Sequence, residues 1–181
     1  MTHEEVHGGD ASTAHGDLRT GWTATGIRVR YAETDAMGVA HHASYLAWLE
    51  VGRTEWIRRP PGLAQDAAGD HAADAERSYR TLERAGFLLP VLEVSCRYLA
   101  SARYDDALVV RTRLSEATRA RMAFDYEVVR GRDGRPLATG RTLHAVTDAA
   151  GRPRRMPKDL LAWVLGEPGG IAPELPGQGT R

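Results

Sequence analysis

Residues 43–58 read Ala-Ser-Tyr-Leu-Ala-Trp-Leu-Glu-Val-Gly-Arg-Thr-Glu-Trp-Ile-Arg, and this stretch decides the fold class. From Ala43 to Arg58 only Gly52 weakens a helix, and Pro60-Pro61 stops it. Among the first ten residues only Ser44 and Glu50 are strongly polar, so apolar side chains point in every direction. Such a helix is expected to be surrounded by protein. Gly52 costs up to ~1 kcal/mol of helix stability relative to alanine, which predicts close approach of another backbone there.

Outward from the helix the period changes. Upstream, Ile27, Val29 and Tyr31 alternate with Arg28 and Arg30, the pattern of a half-buried strand with Tyr31 on its inner face. Downstream, Ser78 to Ala85 reads as a short helix ending at Gly86. Leu92, Val94, Cys96 and Tyr98 then share one face, as do Leu108, Val110, Thr112 and Leu114, and Met122, Phe124, Tyr126 and Val128. Asp133-Gly134 marks a hairpin into Leu137 to Thr147. Short links imply an antiparallel meander of these strands, and Pro157 opens a last helix to Leu165. The fold class is α+β, an antiparallel sheet wrapped around one long central helix.

The ends are different in kind. Residues 1–21 and 166–181 are rich in small, polar, Gly and Pro residues and read as a disordered and a flexible tail around a domain at 22–165. Residues 62–77, rich in Ala, Asp and Gly, read as a surface insertion. The 24 Lys and Arg balance the 24 Asp and Glu, so no cationic excess draws the chain to nucleic acid or an anionic membrane. With 42% apolar and 27% charged residues the 181-residue chain is ordinary globular material. Cys96 is the single cysteine, which leaves no disulfide framework and fits a reducing cytoplasm. The first twenty residues lack the apolar run of a signal peptide, and no stretch reaches the ~18 apolar residues of a membrane span.

Few residues carry chemistry. His3-Glu4-Glu5-Val6-His7 has the spacing of a zinc-protease helix, but it has no apolar face and runs into Gly8-Gly9, so it reads as solvated tail and no metal is expected. No nucleophile elbow and no phosphate-binding glycine pattern occurs, and Cys96 on an inward strand face behaves as a small hydrophobe. There remain Tyr31 at a strand end, Asp35 before the apolar loop Ala36-Met37-Gly38-Val39-Ala40, and His42 at the start of the central helix. An apolar loop implies that Asp35 is partly desolvated. A carboxylate there can act as base or nucleophile, and the free N–H groups of a helix start can hold an oxyanion. The same residues also fit an Asx turn at Asp35, a helix-entry histidine and a core tyrosine.

Read whole, Arg30-Tyr31-Ala32-Glu33-Thr34-Asp35-Ala36-Met37-Gly38-Val39-Ala40-His41-His42-Ala43-Ser44-Tyr45-Leu46, with Glu50 and Arg53-Thr54-Glu55-Trp56, closely resembles the signature of hotdog-fold acyl-CoA thioesterases. The nearest branch is the 4-hydroxybenzoyl-CoA thioesterase-like one that includes the YbgC-type enzymes. The likeness extends to Ser78-Tyr79-Arg80, Gly86-Phe87, Tyr98 to Asp106 and Arg152 to Pro157. It implies Asp35 as the catalytic carboxylate, Tyr31 and His42 as its companions, and a thioester carbonyl aimed at the N-terminus of the central helix. It also implies a homodimer or tetramer with joined sheets. Coenzyme A is part of the substrate, so no cofactor is implied; Arg103, Arg154, Arg155 and Lys158 are candidates for its phosphates. Glu50 and Glu55 are read instead as ion-pair partners of Arg53 and Arg58. Three departures stand out: His41 where many relatives have Tyr, Ser44 where many have Asn, and Ser101 where many have Pro, the last expected to loosen a strand-end turn. Two other readings compete with thioester hydrolysis: a non-catalytic acyl-CoA-binding module, and a hotdog hydratase acting on enoyl or hydroxyacyl thioesters.

Overall fold

A computed structural model describes residues 21–59 and 78–173. The His3–His7 motif, residues 62–77 and the end of the chain from 174 lie outside the described residues. Strand β1 (Thr23–Arg28) leads through a 3-10 turn (Tyr31–Glu33) into α1 (His42–Arg58). After α2 (Tyr79–Arg84) come β2 (Val91–Tyr98), β3 (Ala107–Ala117), β4 (Arg121–Arg130), β5 (Pro136–Ala145) and α3 (Lys158–Leu165). The strands form one five-stranded sheet, antiparallel throughout, in the order β1-β3-β4-β5-β2.

The meander expected over four strands therefore holds for β3, β4 and β5 only. β2 pairs with β5, and residues 99–106 carry the chain across the end of the sheet to β3. Alternation marks which residues share a face; it does not say which strand lies alongside.

The alternating residues do form the concave face: Leu108, Val110, Thr112 and Leu114 of β3, and Met122, Phe124, Tyr126 and Val128 of β4, are all buried. Helix α1 lies across them and buries Tyr45, Trp48, Leu49, Trp56 and Ile57. Trp56 meets Phe124 edge-on at 5.4 Å. The expectation of a helix enclosed on all sides needs correction, because Leu46 and Val51 are 38% and 40% exposed in the single chain. A single sheet covers only one side of a helix, and the opposite side of α1 is open among the described residues. The Arg53–Glu50 and Arg58–Glu55 pairs form as the helical spacing predicts.

Gly52 does mark a close approach, but to side chains rather than backbone. A Cβ there would fall 2.5 Å from Thr112 Oγ1 and 2.8 Å from Val110 Cγ1. On β5, a Cβ at Gly140 would fall 2.7 Å from Leu49 Cδ1. One glycine on the helix and one on the sheet thus let α1 seat against the strands. Gly52→Ala should lower stability by up to about 2 kcal/mol, since overpacking of ~1–3 kcal/mol offsets the ~1 kcal/mol gain in helix propensity. Urea denaturation measures it; an unchanged or raised midpoint would contradict this packing.

Beneath the C-terminal half of α1 the buried face turns polar. Tyr126 Oη lies 2.8 Å from Thr142 Oγ1, Thr142 Oγ1 2.9 Å from His144 Nε2, and His144 Nδ1 3.0 Å from the Leu89 carbonyl. A carbonyl only accepts, so Nδ1 carries the proton and Nε2 accepts from Thr142, which accepts from Tyr126. Burial pushes the Tyr126 phenol up to about 12 and the His144 imidazole down to about 4. At the same end of the sheet, Met156 and Arg119 hold each other through two N–H···O bonds of 2.8 and 2.6 Å, and α3 buries Leu160, Leu161, Val164 and Leu165. Gly166 ends α3 in the left-handed conformation, and Ile171 N–H returns to the Asp159 carbonyl. No described helix is long and apolar enough to cross a membrane.

Candidate active site

Three segments meet at the N-terminal end of α1: the loop 34–40, the first turn of the helix, and the start of the 99–106 crossover. They enclose a cavity of about 370 Å³ whose lining includes Asp35, His42, Tyr45, Tyr98 and Ser101.

The Asp35 loop closes on itself. Thr34 and Ala40 form an isolated bridge, Asp35 N–H donates to the Val39 carbonyl at 2.9 Å, and Gly38 takes a φ of 71° that suits glycine. Asp35 Oδ1 accepts the Met37 N–H at 2.8 Å, the Asx turn that spacing allowed. Oδ2 has no partner among the described residues, and the carboxylate is half-buried at the cavity wall. The Asx turn and the candidate catalytic role coexist, because one oxygen builds the turn and the other is free.

At the helix start, the amides are unequally committed. Ser44 N–H donates to the His41 carbonyl at 2.9 Å and Ala43 N–H to His41 Nδ1 at 3.3 Å, so His41 caps α1. The His42 N–H has no partner among the described residues. Its ring stacks on that of His41, centroids 4.1 Å apart.

Glu33 ties these parts together, and sequence reasoning gave it no role. Its carbonyl accepts His41 N–H at 2.8 Å and Ser44 Oγ–H at 3.1 Å; its carboxylate accepts Arg30 N–H at 2.8 Å and Trp48 Nε1–H at 3.2 Å. The signal was present as a carboxylate three residues after Arg30, the spacing of a capping box. Ser44 therefore keeps a side-chain hydrogen bond at the helix start. Nor is the turn at Ser101 left loose: Arg130 Nη2 donates to its carbonyl at 3.2 Å, and Tyr45 Oη accepts the next amide, Ala102 N–H, at 3.0 Å. Ala40 N–H donates to the Ala102 carbonyl at 2.9 Å, which joins the Asp35 loop to the crossover. Tyr98, also unassigned by sequence reasoning, donates its hydroxyl to the His42 carbonyl at 3.0 Å. Partial burial raises this phenol above its ordinary value.

Tyr31 is a correction. It sits in the 3-10 turn rather than on an inner strand face, is 77% exposed, and meets Tyr104 edge-on at 5.8 Å. Pairing of β1 with β3 ends at Arg28, and the Arg30–Glu33 turn then takes the chain off the strand period. Within one chain Asp35 and His42 share the cavity and Tyr31 does not line it.

The four candidate phosphate ligands are divided. Arg103 is exposed in the crossover, two residues beyond Ser101. Arg154 donates to the Gly86 carbonyl at 3.0 Å and lies over the Phe87 ring at 4.1 Å, while Arg155 and Lys158 are exposed. Arg154 N–H bonds the Val146 carbonyl just past β5, whereas the cavity lies at the other end of that strand. At ~3.3 Å per residue the length of β5 separates the two by about 30 Å.

Comparison with known proteins decides the family. The model of the thioesterase-like superfamily matches residues 29–164, which hold α1, the cavity, β2 to β5 and most of α3. The chain belongs to the thioesterase-like superfamily. Escherichia coli YbgC, an acyl-CoA thioester hydrolase, is 29% identical over 136 residues, covering 75% of this chain and 90% of YbgC. YneP of Bacillus subtilis is 33% identical over 102 residues, or 56% of this chain and 63% of YneP, a little under two thirds of its length. Among solved structures, the DHNA-CoA thioesterase of Staphylococcus aureus superposes with a TM-score of 0.61 at 28% identity, over 74% of this chain and 80% of that one. The antiparallel sheet around α1 is the hotdog fold of this superfamily, as the sequence resemblance implied.

Proposed function

We propose that this chain hydrolyses an acyl-CoA thioester to a free carboxylic acid and coenzyme A, with Asp35 as nucleophile or general base. One observation carries the reading. Asp35, a half-buried carboxylate with an unpartnered oxygen, and His42, the helix-start residue whose amide is uncommitted among the described residues, line the same cavity. The thioester carbonyl oxygen would lie at the His42 N–H, where the helix dipole and the free donor stabilise charge developing on it. Asp35 then either attacks the carbonyl carbon to give a mixed anhydride that water cleaves, or takes a proton from water as that water attacks. In both routes the carbon–sulfur bond breaks with the pair on sulfur, and a thiol of pKa near ~8.5 leaves readily as thiolate. The His42 ring positions the water or tunes Asp35.

The working unit in this proposal is a homodimer in the cytoplasm. β2 is an edge strand on which Val91, Leu92 and Val94 are 53%, 54% and 45% exposed, a surface that invites pairing. Antiparallel pairing of two β2 strands brings the Arg154–Lys158 end of one subunit to the cavity end of the other, which gives those cations a route to the coenzyme A phosphates. The test is thiol release from short, medium, long and aryl acyl-CoAs by wild type and Asp35→Asn. Turnover abolished in the variant is the expected result. Loss of an enoyl-CoA without thiol release would point to hydration instead, and tight binding without turnover to a binding module.

A further inference from the structure

The His42 amide can hold an oxyanion only if the first turn of α1 keeps a fixed orientation, and helix ends fray where the intrahelical ladder is incomplete. On the N-terminal side His41 and Glu33 restrain the turn. On the C-terminal side of His42 Cα a restraint beyond the helical ladder comes from a residue 56 positions away: the Tyr98 hydroxyl donates to the His42 carbonyl at 3.0 Å. The Tyr98 ring is itself fixed by an edge-on contact with Tyr45, centroids 5.1 Å apart at 83°. Tyr45 is buried and pinned through its hydroxyl to the Ala100 carbonyl and the Ala102 amide. A chain of contacts thus runs from the crossover through two tyrosines to the peptide beside the proposed oxyanion donor.

We propose that Tyr98 is a positioning residue of this site: its hydroxyl, held on the His42 carbonyl, fixes the first peptide planes of α1 and so keeps the His42 N–H aimed into the cavity. The inference rests on the thioesterase reading of that cavity. A donor set in place before reaction needs no reorganisation as charge develops, so the loss of this anchor should appear in kcat more than in KM.

Tyr98→Phe keeps the ring, the cavity wall and the Tyr45 contact and removes only the hydroxyl. One neutral hydrogen bond corresponds to roughly a threefold to tenfold effect, so kcat for thiol release should fall by about that factor with KM within about twofold. An unchanged kcat, or a change confined to KM, overturns the inference. A second readout is independent of turnover. The Ala43 amide shares its peptide with the His42 carbonyl, so its cross-peak in a ¹⁵N–¹H correlation spectrum should move in Tyr98→Phe while distant amides superimpose. An unmoved Ala43 amide overturns the inference whether or not the protein is active. A wild type silent toward every thioester would instead defeat the thioesterase reading, with the amide comparison still deciding the hydrogen bond.

Discussion

Asp35→Asn is expected to fold normally and to lose on the order of 10³-fold in kcat, the scale of removing a general base or nucleophile. Folding should survive because the structural duty of Asp35 falls on one oxygen. Oδ1 accepts the Met37 N–H to build the Asx turn, and the amide oxygen of asparagine accepts in the same place. The chemistry should fail because a neutral amide neither attacks a thioester nor removes a proton from water. Thiol release set beside a thermal melt separates the two effects. A soluble, fully folded Asp35→Asn protein with undiminished turnover would sink the assignment. His42→Ala should lose less, since alanine retains the backbone N–H at the helix start.

The second large effect is on stability and depends on pH. His144 is wholly buried and neutral in the fold, its imidazole pushed down to about 4 by burial, against ~6.5 in an unfolded chain. Above about pH 6.5 both states are neutral there and stability is unaffected. As pH falls from about 6.5 to about 4 the unfolded chain binds a proton that the folded chain refuses, so stability declines across that window. The decline is about 2 kcal/mol by pH 5 and about 3 kcal/mol over the full window. The hydrogen bonds make refusal specific: Nδ1 donates to the Leu89 carbonyl and Nε2 is occupied as an acceptor from Thr142, so a second ring proton would face a donor. Urea midpoints between pH 7 and pH 5 measure the loss. A flat profile would contradict a neutral, buried His144.

Much of this was legible in the sequence for reasons of locality. The run without breakers and the double proline placed α1, and period-two alternation identified the buried faces of β3 and β4 residue by residue. The Asp35 turn is built from hydrogen bonds spanning a few residues, so its form too could be read from Thr34 to Ala40. Errors arose where a local pattern was asked about a distant neighbour. Alternation through Tyr31 continued on paper after β1 had left its partner at Arg28. An apolar helix implied cover on all sides, although one sheet supplies cover on one.

What the sequence determined by itself is the inventory of elements, the inward faces of β3 and β4, and a carboxylate placed a few residues before a helix start. What only the tertiary structure decided is the company those residues keep: β2 beside β5, Glu33 beneath the helix start, and Tyr98 on the His42 carbonyl across 56 residues. The physical reason is the range of the forces that act. Backbone propensity, capping and amphipathic period are set within a few residues, whereas a hydrogen bond between remote segments exists only once hydrophobic burial has brought their strands together.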